Sequence, residues 1–155
     1  MICEQNQIII NQADSNDIPI IESILLDAVK WMDEIGRQLW SEESVKWENL
    51  SKSYGIDDFY VAYINEEPVG CVAIIDYDPF LWEDIAKGES LFIHKLAVKR
   101  SVRGIGVSDA LIDYFKRKGK AAGVKSVRLD VHVFRPKLCE FYEKHGFVCS
   151  HERGH

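Results

Sequence analysis

Apolar residues recur every three or four positions at Ile21, Ile24, Leu25, Ala28, Met32 and Ile35, which predicts an amphipathic helix ended by Gly36. Ser15 or a neighbour is placed to cap it, and Pro19 falls in its first turn, where a missing N–H costs little. Ahead of it, Gln7 to Ile10 reads as a short β run; behind it, a shorter helix starts near Ser41 and includes Val45 to Leu50. The pattern then shifts to β-branched and aromatic runs, Phe59 to Ile64 and Val69 to Ile75, joined by Asn65-Glu66-Glu67-Pro68 as in a hairpin. Tyr77 to Glu89 reads as a loop. Leu91 to Val98 is a strand leading into a helix that begins near Gly104 and ends around Gly119 to Gly123. Val127 to Val133 is a further strand, Lys137 to Lys144 a helix, and Phe147 to Ser150 a last short strand. Hairpins first and alternating strands and helices later predict an α/β or α+β sheet of mixed direction.

The length of 155 residues suits one domain, expected over 1–155, and no repeat or low-complexity linker divides it. With 46% hydrophobic and 28% charged residues the composition is that of a globular protein. No apolar run approaches the about 18 to 20 residues of a spanning helix, and Met1 to Asn6 lacks the basic flank of a signal peptide, so a cytoplasmic protein without a membrane partner is expected. A formal charge of −6 argues against broad phosphate neutralisation on nucleic acid and mildly favours a cationic partner such as an amine. Cys3, Cys71, Cys139 and Cys149 form no CxxC pair and read as free thiols. Neither a Cys-His-acid set nor zinc spacing among His132, His145, His151 and His155 is present, which disfavours covalent acyl transfer and metal catalysis.

The junction of Leu91-Phe92-Ile93-His94-Lys95-Leu96-Ala97-Val98 with Arg103-Gly104-Ile105-Gly106-Val107-Ser108 is where chemistry is most legible. A strand, a glycine turn and a helix start converge backbone N–H groups and the positive end of a helix dipole on one spot, suited to a phosphate or pyrophosphate. A side chain at Gly104 or Gly106 would stand in the way of that approach.

Over nearly its full length the chain resembles the GNAT superfamily of acyl-CoA-dependent N-acyltransferases. Three ordered pieces carry the resemblance: Leu96-Ala97-Val98, then Arg103-Gly104-Ile105-Gly106, then Leu129-Asp130 followed by Phe141-Tyr142-Glu143-Lys144-His145-Gly146-Phe147. It implies a single GNAT-like domain with a mixed, mostly antiparallel central sheet, splayed at the cofactor site and flanked by helices. It also implies acetyl-CoA as co-substrate, with no metal. Main-chain groups at Leu96, Ala97 and Val98 would bond the pantetheine arm like an added strand. Amides from Arg103 through Gly104, Ile105, Gly106 and Val107 to Ser108 would hold the pyrophosphate. The family's usual Gln or Arg before the first glycine is replaced by Ser101, with Arg100 and Arg103 to either side as substitutes or as solvent-facing residues.

Tyr142 matches the tyrosine that protonates the departing thiolate; it shares a helical face with Leu138, Phe141 and His145, so core packing is its other reading. Phe92 occupies a strand position where relatives carry a base and cannot act as one. His94, on the same strand face, matches a position where some arylalkylamine acetyltransferases carry histidine, and is the candidate for proton transfer, with a structural strand histidine as the alternative. Arg135 stands where relatives carry an asparagine and is a further cofactor contact, or a surface residue before Pro136. The early helices often wall the acceptor cleft. Here they carry Trp31, Trp40, Trp47, Met32, Leu39 and Tyr54, together with Asp33, Glu34, Glu42 and Glu43; Trp82-Glu83-Asp84 can border the same cleft. The function so implied is direct acetyl transfer to a primary amine, small-molecule or peptide, in a ternary complex. The alternative is a non-catalytic acyl-CoA-binding or sensing module, and a homodimer is compatible with either.

Overall fold

The computed structural model describes residues 7–36, 40–78, 85–129 and 136–147. β1 (Ile8–Gln12) is followed by a single 3-10 turn whose N-cap is Asp14. The Asp14 carboxylate accepts from the Asn16 amide at 2.9 Å while Asp17 reaches back to the Asp14 amide at 2.9 Å, satisfying donors that a helix start leaves orphaned. α1 (Ile18–Glu34) then runs with Pro19 at its start. It buries Ile21, Ile24, Leu25, Ala28, Val29 and Met32, the fully enclosed ones worth about 1.5–3 kcal/mol each in apolar transfer. Ile35, expected to continue that stripe, lies past the helix end and is exposed.

The second helix is shorter than its pattern suggested. α2 spans only Trp47–Leu50 after a separate 3-10 turn at Glu43–Val45, because Lys46 between them is extended (ψ 142°). The Glu22 carboxylate of α1 accepts from the Trp47 amide at 2.8 Å, fixing α2 to α1.

β2 (Phe59–Ile64) and β3 (Glu67–Ile75) form the expected hairpin around a two-residue turn, Asn65-Glu66, with φ of 50° and 67°. Two successive positive φ values match the right-handed twist of the flanking strands. β4 (Ser90–Val98), α3 (Val107–Ala122), β5 (Ser126–Arg128) and α4 (Pro136–Lys144) complete the described elements. α3 starts three residues later than Gly104; β5 is described over Ser126–Arg128, and residues 130–133 of the expected Val127 to Val133 strand lie outside the described ones, as do 148–150 of the expected final strand.

The sheet has the order β1-β2-β3-β4-β5, antiparallel except for the parallel β4–β5 pair. Each face supports its own apolar cluster. α1 and α2 pack with Phe59, Val61, Cys71, Ala73 and Ala97; α3 and α4 pack with Tyr60, Ala62, Val72, Ile74 and Ile93 on the other side. No helix among the described residues is long and apolar enough to cross a membrane.

Candidate functional site

Two features of β4 set the geometry. On one side its pairing with β3 runs from Phe92 to Val98, but on the other β5 pairs only with Ser90, Leu91 and Phe92. Beyond Phe92 no strand among the described residues pairs with that second edge. The ladder also slips: Cys71 pairs with Ala97 but Ala73 with His94, so β4 carries one extra residue, and Lys95 takes φ 55°. This is a β-bulge, which re-aims side chains at the point where the two strands part.

The glycine turn lies at the C-terminal end of β4. Gly104 and Gly106 have φ of 81° and 101°, a region L-residues rarely enter. The amides of Gly104, Gly106, Val107 and Ser108 find no acceptor among the described residues, and Gly106 as N-cap offers no side chain to satisfy them. A Cβ on Gly104 would meet no protein atom within 4 Å, and one on Gly106 only the Asp109 carboxylate at 3.9 Å. Amides without an acceptor at a turn that no described side chain covers fit a pyrophosphate. Of the flanking cations, Arg100 is turned to α1, where its guanidinium meets Glu34 at 2.5 Å and Asp27 at 3.6 Å, and Arg103 lies 4.6 Å over the Trp31 ring. Neither replaces the missing glutamine in any contact the structure makes. Arg135 lies outside the described residues.

Tyr142 is 9% exposed and shares the α3-side cluster with Val107 and Leu111, against which Leu96 and Val98 also pack. Burial pushes its phenol up to about 12. Its hydroxyl bonds to no described residue, yet no buried side-chain N or O atom among them lacks a partner, so the hydroxyl reaches accessible surface. An edge-on Phe141 ring at 5.2 Å and a Phe147 ring at 6.0 Å hold the phenol. α4 is tied to α3 by His145, whose Nε2 lies 2.6 Å from Asp109, and by Lys116, which donates to the His145 carbonyl at 2.6 Å.

His94 is neither free nor isolated. Its Nε2 is 2.8 Å from Asp78 Oδ2 and its Nδ1 is 2.7 Å from the Tyr54 hydroxyl. The Asp78 carboxylate, 3% exposed, only accepts, so Nε2 carries the proton; in the neutral ring Nδ1 then accepts from Tyr54. Burial, then the charges of Asp78 and Asp58, push the Tyr54 phenol up to about 12, which keeps it a donor. The sequence reading placed Tyr54 on the acceptor wall without linking it to His94, and missed Asp78 and the Lys95 bulge altogether. No residue pattern marks either: Asp78 is an acid in an irregular connection, and the bulge lacks a glycine.

Trp31, Trp40, Trp47 and Tyr54 all pack on the α1-side cluster, and Lys95 Nζ sits 4.9 Å over the Trp40 ring. Asp33, Glu34, Glu42 and Glu43 are exposed, Glu34 pairing with Arg100 and Glu43 with Lys46. Leu39 and Trp82-Glu83-Asp84 lie outside the described residues. Cys71 is a free, fully buried thiol pushed by burial up to about 12, far from thiolate reactivity at neutral pH. The described residues hold no cluster of three metal-ligating side chains.

A mixed sheet that opens beside a glycine-led helix start is the architecture of a GNAT-type acyltransferase. The family model "Acetyltransferase (GNAT) family" matches residues 25–147, and the chain belongs to that family. An uncharacterized N-acetyltransferase of Methanocaldococcus jannaschii is 34% identical over 111 residues, 72% of this chain; the match spans only 46% of that relative's length. Among solved structures, a GNAT acetyltransferase from Listeria monocytogenes superposes with a TM-score of 0.78 at 23% identity, covering 95% of this chain and 90% of its own. N-acetylglutamate synthase from Neisseria gonorrhoeae, crystallised with coenzyme A and L-arginine, superposes with a TM-score of 0.67 at 19% identity, over 98% of this chain and 30% of that one.

Proposed function

We propose that this protein transfers an acetyl group from acetyl-CoA directly to a primary amine within a ternary complex. The observation that carries the reading is the run of amides at Gly104, Gly106, Val107 and Ser108, without an acceptor among the described residues, on the glycine turn that joins β4 to α3 in a GNAT chain. Leu96, Ala97 and Val98 supply main-chain partners for the pantetheine arm, and within the turn from Arg103 to Ser108 the amides of Gly104, Gly106, Val107 and Ser108 supply donors for the pyrophosphate, those of Arg103 and Ile105 donating to the Arg100 and Val102 carbonyls. The bound acetyl-CoA contributes a thioester carbon open to attack.

The protein's contribution is alignment, polarisation and proton handling. Main-chain donors on β4 would polarise the thioester carbonyl of bound acetyl-CoA. As the new C–N bond forms and the C–S bond breaks, the amine loses a proton and the thiolate gains one. Tyr142, protonated at neutral pH, gives its proton to the thiolate. With both His94 nitrogens engaged, the amine proton enters through Tyr54: the Tyr54 oxygen accepts it while the Tyr54 proton passes to His94 Nδ1, leaving an imidazolium held against Asp78. Tyr54 is thus the contact residue and His94 the proton store.

The test is thiol release from acetyl-CoA in the presence and absence of a panel of primary amines. Amine-dependent release supports the enzyme. Tight CoA binding without turnover across the panel would instead make the protein an acyl-CoA sensor.

A further inference from the structure

We propose that the acceptor is a small amino carboxylate, and that the Lys95 ammonium holds its carboxylate beside the amine. The inference deepens the acetyltransferase reading and rests on it.

Consecutive residues of a regular strand point to opposite faces. The bulge breaks that alternation at His94 and Lys95. His94 pairs with Ala73 on the α1 side and meets Tyr54, while Lys95 reaches Trp40; both aromatic partners pack on the same α1-side cluster. A proton-accepting group and a cation are therefore brought to the α1 side of the sheet from adjacent positions, whose Cα atoms are about 3.8 Å apart. At φ 55° Lys95 sits in a backbone region that L-residues rarely adopt, a strain that a plain extended strand would not carry.

Lys95 is also short of a counter-charge. Lys46, Lys87, Lys125 and Lys144 each have a carboxylate within 4.0 Å, whereas Lys95, like Lys30, Lys52, Lys99, Lys116, Lys118 and Lys120, has none among the described residues. Half-buried against Trp40, it is held by burial below the ordinary lysine value. The indole face compensates a desolvated ammonium only in part. A ligand carboxylate would supply what is missing. A cation and the Tyr54–His94 proton relay carried by neighbouring positions suit an amine and a carboxylate a few bonds apart, as in a free amino acid. A protein N-terminus offers no carboxylate at a fixed short distance from its amine.

The experiment pairs α- and β-amino acids with their carboxamides, read by thiol release and by calorimetric binding to the CoA-loaded protein. Carboxamides have the less basic amine, so their bias runs against the expected result. The wild type should favour carboxylates by about tenfold or more in kcat/KM, mainly through KM; Lys95→Met should abolish the preference and Lys95→Arg keep it within about threefold. Equal binding and turnover of both series, or a preference that survives Lys95→Met, overturns the proposal. If CoA binds and simple amines or peptides are acetylated but no amino carboxylate binds or reacts, this inference fails while the acetyltransferase reading stands. If CoA itself does not bind, the acetyltransferase reading fails and takes this one with it.

Discussion

Removing the Tyr142 hydroxyl leaves its ring, and with it the packing on Phe141 and Phe147, in place. Tyr142→Phe is therefore expected to keep the fold and the CoA affinity while lowering kcat by about 10²- to 10⁴-fold where chemistry limits turnover. An unchanged rate under those conditions would reduce Tyr142 to a packing residue. Because burial holds its phenol up at about 12, losing the proton takes strongly alkaline solution, and no decline in rate traceable to Tyr142 should appear between pH 6 and 10. The Tyr54–His94–Asp78 chain predicts a different pattern. Tyr54→Phe, His94→Gln and Asp78→Asn should each depress the rate at neutral pH with CoA affinity nearly intact, and the deficit should shrink at high pH, where the amine sheds its own proton. A deficit equal at all pH values would leave the chain with a structural role. Tyr142 was legible because its motif is contiguous, from Phe141 to Phe147. The partners of His94 were not: Tyr54 and Asp78 sit 40 and 16 residues away in sequence, and only folding brings them to one ring.

At the scale of elements, periodicity located α1, the β2–β3 hairpin, β4 and α3, because each buries one face and leaves the other wet. What it misplaced were ends and irregularities. α3 begins at Val107 because Gly104 and Gly106 hold the preceding turn in the left-handed region, and α2 is a single turn because Lys46 is extended. The bulge escaped notice for a physical reason: a lysine at φ 55° is stabilised by its surroundings and not by its own preference. The glycine turn gives the prediction at this scale. Gly106→Val places a branched side chain at φ 101° over the free amides, with a backbone cost of about 1–3 kcal/mol. Loss of one or two amide contacts to the pyrophosphate should in addition weaken CoA binding by about 10- to 100-fold. Calorimetry on the folded variant checks this, and wild-type affinity there would move the pyrophosphate elsewhere.

Across the whole molecule, α3 packs on β5 and on β4, whose first residues β5 pairs. Gly119 sits at that crossing. A Cβ there would run into the Val127 side chain of β5 and come within 3.4 Å of Val124 and 3.7 Å of Leu91. The family resemblance made the class of fold legible, but nothing in the sequence around Gly119 distinguishes a close helix–strand approach from an ordinary weak point in a helix, since the contacting side chain comes from another element. The two readings predict opposite signs. In a helix with room, Gly119→Ala would stabilise by about 0.8–1 kcal/mol through propensity alone. At this crossing the added methyl meets Val127, and overpacking of about 1–3 kcal/mol should outweigh that gain. The expected result is a lower urea midpoint for Gly119→Ala, a larger drop for Gly119→Val, and weaker CoA binding in both as β5 is pushed from its place. A raised midpoint in Gly119→Ala would mean that α3 does not press on β5, and that the seating of β5 on β4 is set by something other than this contact.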